Sequence, residues 1–89
     1  DNAVILFPNP NTGRFSLRIN STLYNYLGMS VHNTAGQLLH RQTFNGLSYG
    51  RVIPVDISHL PAGPYMVKIF YDDGIRTSEK TFPVIIQRQ

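Results

Sequence analysis

A period of two constrains this chain more than any other feature. From Arg14 to Ile19 the residues Phe15, Leu17 and Ile19 alternate with Arg14, Ser16 and Arg18, and such alternation puts one set on one face only in an extended strand. Leu27, Met29 and Val31 repeat the pattern, and Tyr65, Val67, Ile69 and Tyr71 share a face opposite Met66, Lys68 and Phe70. Each such strand needs one face covered and tolerates water on the other, as in antiparallel sheets. Phe15, Leu17, Ile19, Val31, Val67 and Ile69 are therefore expected in one core.

The intervening segments punctuate strands. A first strand, Val4 to Phe7, is halted by PNPNTG, where each proline removes a ladder donor and Asn9, preceding Pro10, is pushed toward extended geometry. NTAG at 33 to 36 predicts a hairpin, with Asn33 starting the turn through its side chain and Gly36 free to take positive φ. The return strand, Gln37 to Phe44, is less regular because Leu38, Leu39 and His40 break the alternation. NGLSYG reads as a loop. A strand from Val52 to Ile57 follows, in which Pro54 marks an edge or a bulge. LPAGP turns the chain into the strand that starts near Tyr65, DDG at 72 to 74 makes a second hairpin, and the last strand, Arg76 to Ile86, is expected to break at Pro83. About seven short strands without a helical stretch predict an all-β fold, an immunoglobulin-like antiparallel β-sandwich. A small open barrel is the alternative.

With 89 residues the chain forms one domain, which buries only about 60–65% of the surface its unfolded form exposes. An apolar fraction of 42% against 15% charged residues argues for a folded domain and against a disordered tail. The absence of cysteine rules out a disulfide framework or a thiolate metal site and leaves the compartment open. The net charge of +3 comes from basic residues dispersed between Arg14 and Arg88 with no adjacent pair, a poor footprint for nucleic acid. No apolar run approaches the roughly 20 residues of a membrane helix, so membrane insertion is not expected. No signal peptide opens the chain at Asp1, and we expect residues 1–89 to be a piece of a larger protein whose export signal lies elsewhere.

Candidate chemistry is sparse. His32, His40 and His59 are possible metal ligands, but no pair has the close spacing of a zinc motif, and three ordinary polar histidines are the simpler reading. Asp56, Ser58 and His59 are the residue types of a hydrolytic triad, yet adjacency in sequence does not place a nucleophile on its base. Asp72 and Asp73 could ligate calcium but lack further ligands, and turn chemistry accounts for them. Tyr24, Tyr26 and Tyr49 could form a carbohydrate-stacking platform, or simply cover the core.

Three stretches occur together in a recognisable order: FPNPNTGRFSLRI, VHNTAGQLL and VDISHLPAGPYMVKI. Together they resemble the type A C-terminal sorting domain of the type IX secretion system of Bacteroidetes. The first stretch aligns Pro8, Asn9, Pro10 and Gly13 with the family's N-terminal motif. The second aligns Asn33, Gly36 and Gln37 with its middle hairpin. In the third, Asp56, Ser58, Leu60, Pro61, Gly63 and Tyr65 follow the pattern Asp-x-Ser-x-Leu-x-x-Gly-x-Tyr. Lys80, Val84, Ile85, Ile86 and Arg88 fit the family's ending of a lysine, a short apolar strand and a basic residue. The chain departs from the family at Pro64, where a small β-branched residue is usual, and at Pro83 and Gln89.

The resemblance implies an immunoglobulin-type sandwich without enzymatic activity or cofactor, placed last in an exported protein. Its implied partners are the outer-membrane type IX translocon and its shuttle proteins, and a sortase-like peptidase that in many members removes the domain and attaches the cargo to the cell surface. In other members the cargo is released. Localisation would be the periplasm in transit, then the surface or the medium. An immunoglobulin-like carbohydrate-binding, spacer or adhesion module is the competing expectation.

Overall fold

The computed structural model describes residues 3–22, 24–72 and 74–88, with the backbone alone at Tyr24 and Asn25. Its strands are β1 (Val4–Phe7), β2 (Arg14–Ile19), β3 (Tyr24–His32), β4 (Leu38–Phe44), β5 (Val52–Asp56), β6 (Gly63–Asp72) and β7 (Thr77–Ile86). They form a three-stranded sheet in the order β1-β2-β5 and a four-stranded sheet in the order β4-β3-β6-β7. All named pairings are antiparallel. No described helix is long and apolar enough to cross a membrane.

The alternating residues meet between the two sheets. Phe15, Leu17 and Ile19 of β2 and Ile53 and Val55 of β5 face Leu27, Met29 and Val31 of β3 and Tyr65, Val67, Ile69 and Tyr71 of β6, all of them buried. Fully burying an aliphatic side chain of this size is worth about 1.5–3 kcal/mol. Leu47 and Ile57, which lie outside the strands, close the core between the sheets. The six residues expected in one core are all there.

Two irregularities differ from expectation for local reasons. Val31 pairs with His40 but His32 pairs with Leu38, so Leu39 is an extra residue in β4. This bulge accounts for the broken alternation, since one inserted residue shifts the faces that follow. The second is Pro83, where β7 continues instead of breaking. Strand β7 is an edge, and the Pro83 carbonyl and Ile85 amide meet Asn9 on the side away from β6. The missing donor of Pro83 therefore removes no bond to β6, the position in which a sheet accepts proline. Pro54 follows the same rule in β5, the edge of the smaller sheet.

Candidate functional site

Residues 8–13 leave β1 and run along the outer edge of β7 as a strap. Asn9 Nδ2 donates to the Pro83 carbonyl at 2.6 Å, and Asn9 Oδ1 accepts from the Ile85 amide at 3.1 Å. Asn11 continues with its backbone: its N–H donates to the Ile85 carbonyl at 3.0 Å and its carbonyl accepts from the Gln87 amide at 2.7 Å. Asn11 is 6% exposed, and both ends of its carboxamide are bonded, Nδ2 donating to the Pro8 carbonyl and Oδ1 accepting from the Gly13 amide. Phe7–Pro8 and Asn9–Pro10 are both cis. The exposed rings of Pro8 and Pro10 flank this clasp.

The strap then meets the β5–β6 crossover. The Gly13 carbonyl accepts from the Ile57 amide at 2.8 Å. Gly13 has φ +99°, and a Cβ there would stand 2.7 Å from the Ser58 Cα, so glycine is required by both torsion and space. Asp56 Oδ1 accepts from the Ser58 amide at 2.9 Å, an Asx turn that starts the crossover. Ser58, through its side chain and its backbone, is the main cause that lowers the Asp56 carboxyl from 3.8 to about 2, and Arg14, at 3.3 Å, adds to it. Arg88 Nη2 reaches back from the end of β7 to donate to the Ser58 carbonyl at 2.5 Å.

The stretch LPAGPY completes this end of the sandwich. The Leu60 amide donates to the Ile57 carbonyl, and the Tyr65 hydroxyl donates to the Pro61 carbonyl at 2.5 Å. A tyrosine entering a strand thus ties down the turn before it, as in the tyrosine corners of immunoglobulin-like domains. Gly63 has φ +146° and pairs with Ile86. His32 pairs with Met66, so the β3–β4 hairpin projects at the same end. There Asn33 Oδ1 accepts from the Ala35 and Gln37 amides, and Gly36 takes φ +86°.

Sequence positions far apart therefore form one pole. Pro8, Asn9, Pro10, Gly13, Asp56, Ser58, Leu60, Pro61, Gly63, Tyr65 and Arg88 lie in the strap, the crossover, the start of β6 and the end of β7, with Asn33 and Gly36 on the neighbouring hairpin. Between strap and crossover lies a hollow of about 470 Å3, with Asn11 and Ile86 in its lining and Arg88 and Ala62 at its sides. Lys80 does not belong to this pole. It pairs with Ile69 along β7, with its ammonium 5.2 Å from the centroid of the Phe82 ring. Six steps of strand carry β7 from Lys80 to Ile86, roughly 20 Å at about 3.4 Å per residue, and Arg88 lies two residues beyond that end.

The remaining candidates are dispersed. The His40 and His59 rings lie 5.7 Å apart, whereas His32 is held by Ser30 Oγ and the Gly36 carbonyl. The Asp56 carboxylate is turned to the Ser58 amide and Arg14. Asp72 accepts from the Gly74 amide as turn chemistry requires, and Asp73 lies outside the described residues. Tyr26 stands on the outer face of the four-stranded sheet beside Phe70, and Tyr49 is in a loop fastened to Ile19, so these two occupy different surfaces; the side chain of Tyr24 lies outside the described residues. Sequence reasoning missed Asn11, which joins β1, β2 and β7. Its place two residues before Gly13 is the signal for an Asx turn that would have found it.

No curated protein matches the chain in sequence. The crystal structure of CopC from Methylosinus trichosporium OB3b is similar in fold, with a TM-score of 0.67 and 16% identity over 92% of this chain and 91% of that one. That likeness shows the β-sandwich alone. The family model described as "Secretion system C-terminal sorting domain" matches residues 5–85, a span that holds the strap, the hairpin, the crossover and nearly all of β7. With most of its sequence covered by that model, the chain belongs to the family of type IX secretion C-terminal sorting domains.

Proposed function

We propose that this domain is the sorting signal of a larger exported protein, that the type IX machinery reads it at the pole formed by strap, crossover and Arg88, and that it performs no catalysis of its own. The convergence of three separated motifs on one end of the sandwich carries this reading. In it, the cargo precedes β1, whose first residue Val4 pairs with Ile19 at the opposite end of a body 39 Å long. Cargo and signal then do not obstruct each other. A sortase-like peptidase acting ahead of β1 would separate the cargo for attachment to the surface, leaving the folded domain intact.

The test is a fusion of a Sec signal, a reporter and this domain, expressed in a host with type IX secretion. The unmodified fusion should reach the surface or the medium, and failure to do so refutes the sorting function. Arg88→Gln and Lys80→Gln are compared singly, each checked by thermal melting. Retention of Arg88→Gln in the periplasm with an intact fold supports reading at the pole. Retention of Lys80→Gln alone would move the signal to the middle of β7 and overturn the assignment to the pole.

A further inference from the structure

We propose that the outer face of the four-stranded sheet carries a second site, a groove for an anionic carbohydrate whose rings bear carboxylate or sulfate groups. The groove has a volume of about 390 Å3, within the range of roughly 300–1,000 Å3 typical of small-molecule sites. Gly28 and Ser30 of β3 line it at the centre of the sheet, with Tyr26 and Phe70 toward one end. Ser30 pairs in register with both Arg41 of β4 and Lys68 of β6, so two cations flank it across three adjacent strands, about 10 Å apart at their bases.

Three observations point to a ligand. First, Tyr26 is 54% exposed although its ring edge lies 3.5 Å from where a Gly28 Cβ would be. It offers a ring face held over the sheet instead of packing into the core. Second, glycine in mid-strand weakens a sheet and often marks close approach of another group; a side chain at Gly28 would occupy the groove. Third, Arg41 and Lys68 form no ion pair with another described residue, and no carboxylate lines the groove. Glu79 faces Phe70 from β7 outside the lining. Asp72 borders a separate hollow that also includes Tyr26 and Phe70, which assigns the anionic group to the Arg41–Lys68 side.

The chemistry favours a sugar over an acidic peptide. Strands β3 and β6, which form the floor of the groove, are interior to the sheet, so a peptide lying on that floor finds no unpaired backbone edge to join, and only the outer side of β4 at its border offers one. A pyranose ring presents an apolar face to Tyr26, and the arginine fork takes a carboxylate or sulfate in two hydrogen bonds. This site shares none of the strap or crossover residues and stands whether or not the pole is the sorting signal.

The isotopically labelled chain should be titrated at low salt with hexagalacturonate and with a heparin-derived hexasaccharide, using cellohexaose as the neutral control. The proposal expects amide shifts centred on Gly28, Ser30 and Lys68 with at least one acidic probe, weakened by added salt. Tyr26→Ala should lower the affinity fivefold to tenfold, about the range of one lost aromatic contact. Arg41→Gln with Lys68→Gln should lower it further, each variant keeping the parent melting temperature within a few degrees. Equal binding of cellohexaose, shifts centred on Arg14 and Arg88, or no binding of either acidic probe at millimolar concentration would overturn it. So would equal affinity for polyglutamate with no effect of Tyr26→Ala, which would make the face a site for acidic peptides.

Discussion

Gly13→Ala tests whether the strap and the crossover are fitted to one another. At φ +99° an alanine is strained, at a cost of about 1–3 kcal/mol. Its Cβ would also stand 2.7 Å from the Ser58 Cα and 3.1 Å from the Ser58 nitrogen, against an ordinary carbon contact of about 3.5–4.0 Å. Neither atom is the end of a flexible side chain. The crossover must therefore retreat by roughly 0.8 Å, and overpacking on that scale costs about 1–3 kcal/mol more. The sum, about 2–6 kcal/mol, is a large part of the stability of a domain this size, about 5–13 kcal/mol.

Gly36→Ala supplies the control. Gly36 has a similar φ of +86° with nothing within 4 Å of a Cβ, so it bears the torsional cost without the contact. At about 4–8 °C per kcal/mol, Gly13→Ala should melt at least about 8 °C below the parent and clearly below Gly36→Ala, with faster hydrogen exchange at the Ile57 amide that donates to Gly13. Equal melting temperatures for the two variants would refute the close fit of strap to crossover.

Ile69→Ala, at a fully buried position between the sheets, should lose about 2–4 kcal/mol in urea unfolding; a loss below about 1 kcal/mol would reject the core assignment. Tyr65→Phe removes the hydroxyl bond to the Pro61 carbonyl while keeping the ring, and should cost about 1 kcal/mol, with exchange quickened in residues 60–63 and unchanged in β2. The Asp56 carboxyl is depressed from 3.8 to about 2 by Ser58 and then Arg14. Its contribution to stability is therefore present above about pH 4 and is lost as the pH falls through about 2. Asp56→Asn should accordingly flatten the melting temperature against pH between those values, and an unchanged acid limb would remove Asp56 from the account of stability.

The strands were legible because a half-buried strand writes its orientation into the sequence. Arg14 to Ile19 and Tyr65 to Tyr71 alternate without error, and the structure buries the expected face of each. Strand β4 was harder to read because it is an edge and bulges at Leu39, leaving most of its residues exposed. Pro83 was misread because the rule against proline in strands presumes a partner on both sides, and only the topology shows that β7 has β6 on one side and the asparagine strap on the other. The turn residues Asn33, Gly36 and Gly63 were visible through local chemistry, whereas Asp56 was placed inside a strand and its turn onto the Ser58 amide emerges only in the structure. The contacts of Asn9 with Pro83 and Ile85, and of Arg88 with Ser58, span 74, 76 and 30 residues, and no local pattern announces them.

Those long-range contacts bear on how the terminal strand can be read. An exposed strand edge invites pairing with another chain, and here the strap occupies the edge of β7 between Pro83 and Gln87. A partner that added its own strand at this place would first have to displace Asn9 and Asn11. Recognition of the folded pole needs no such step, because Arg88, the strap and the crossover already present a shaped surface. Deleting residues 83–88 would remove the Pro83 carbonyl that accepts from Asn9, the Ile85 amide that donates to it and the anchor of the Ser58 carbonyl together, disturbing strap and crossover at once. A peptide copy of residues 80–88 would lack the strap and the Ser58 carbonyl that Arg88 meets in the fold. A signal read at this pole is therefore a property of the folded sandwich, and point substitutions on an intact fold are the informative way to map it.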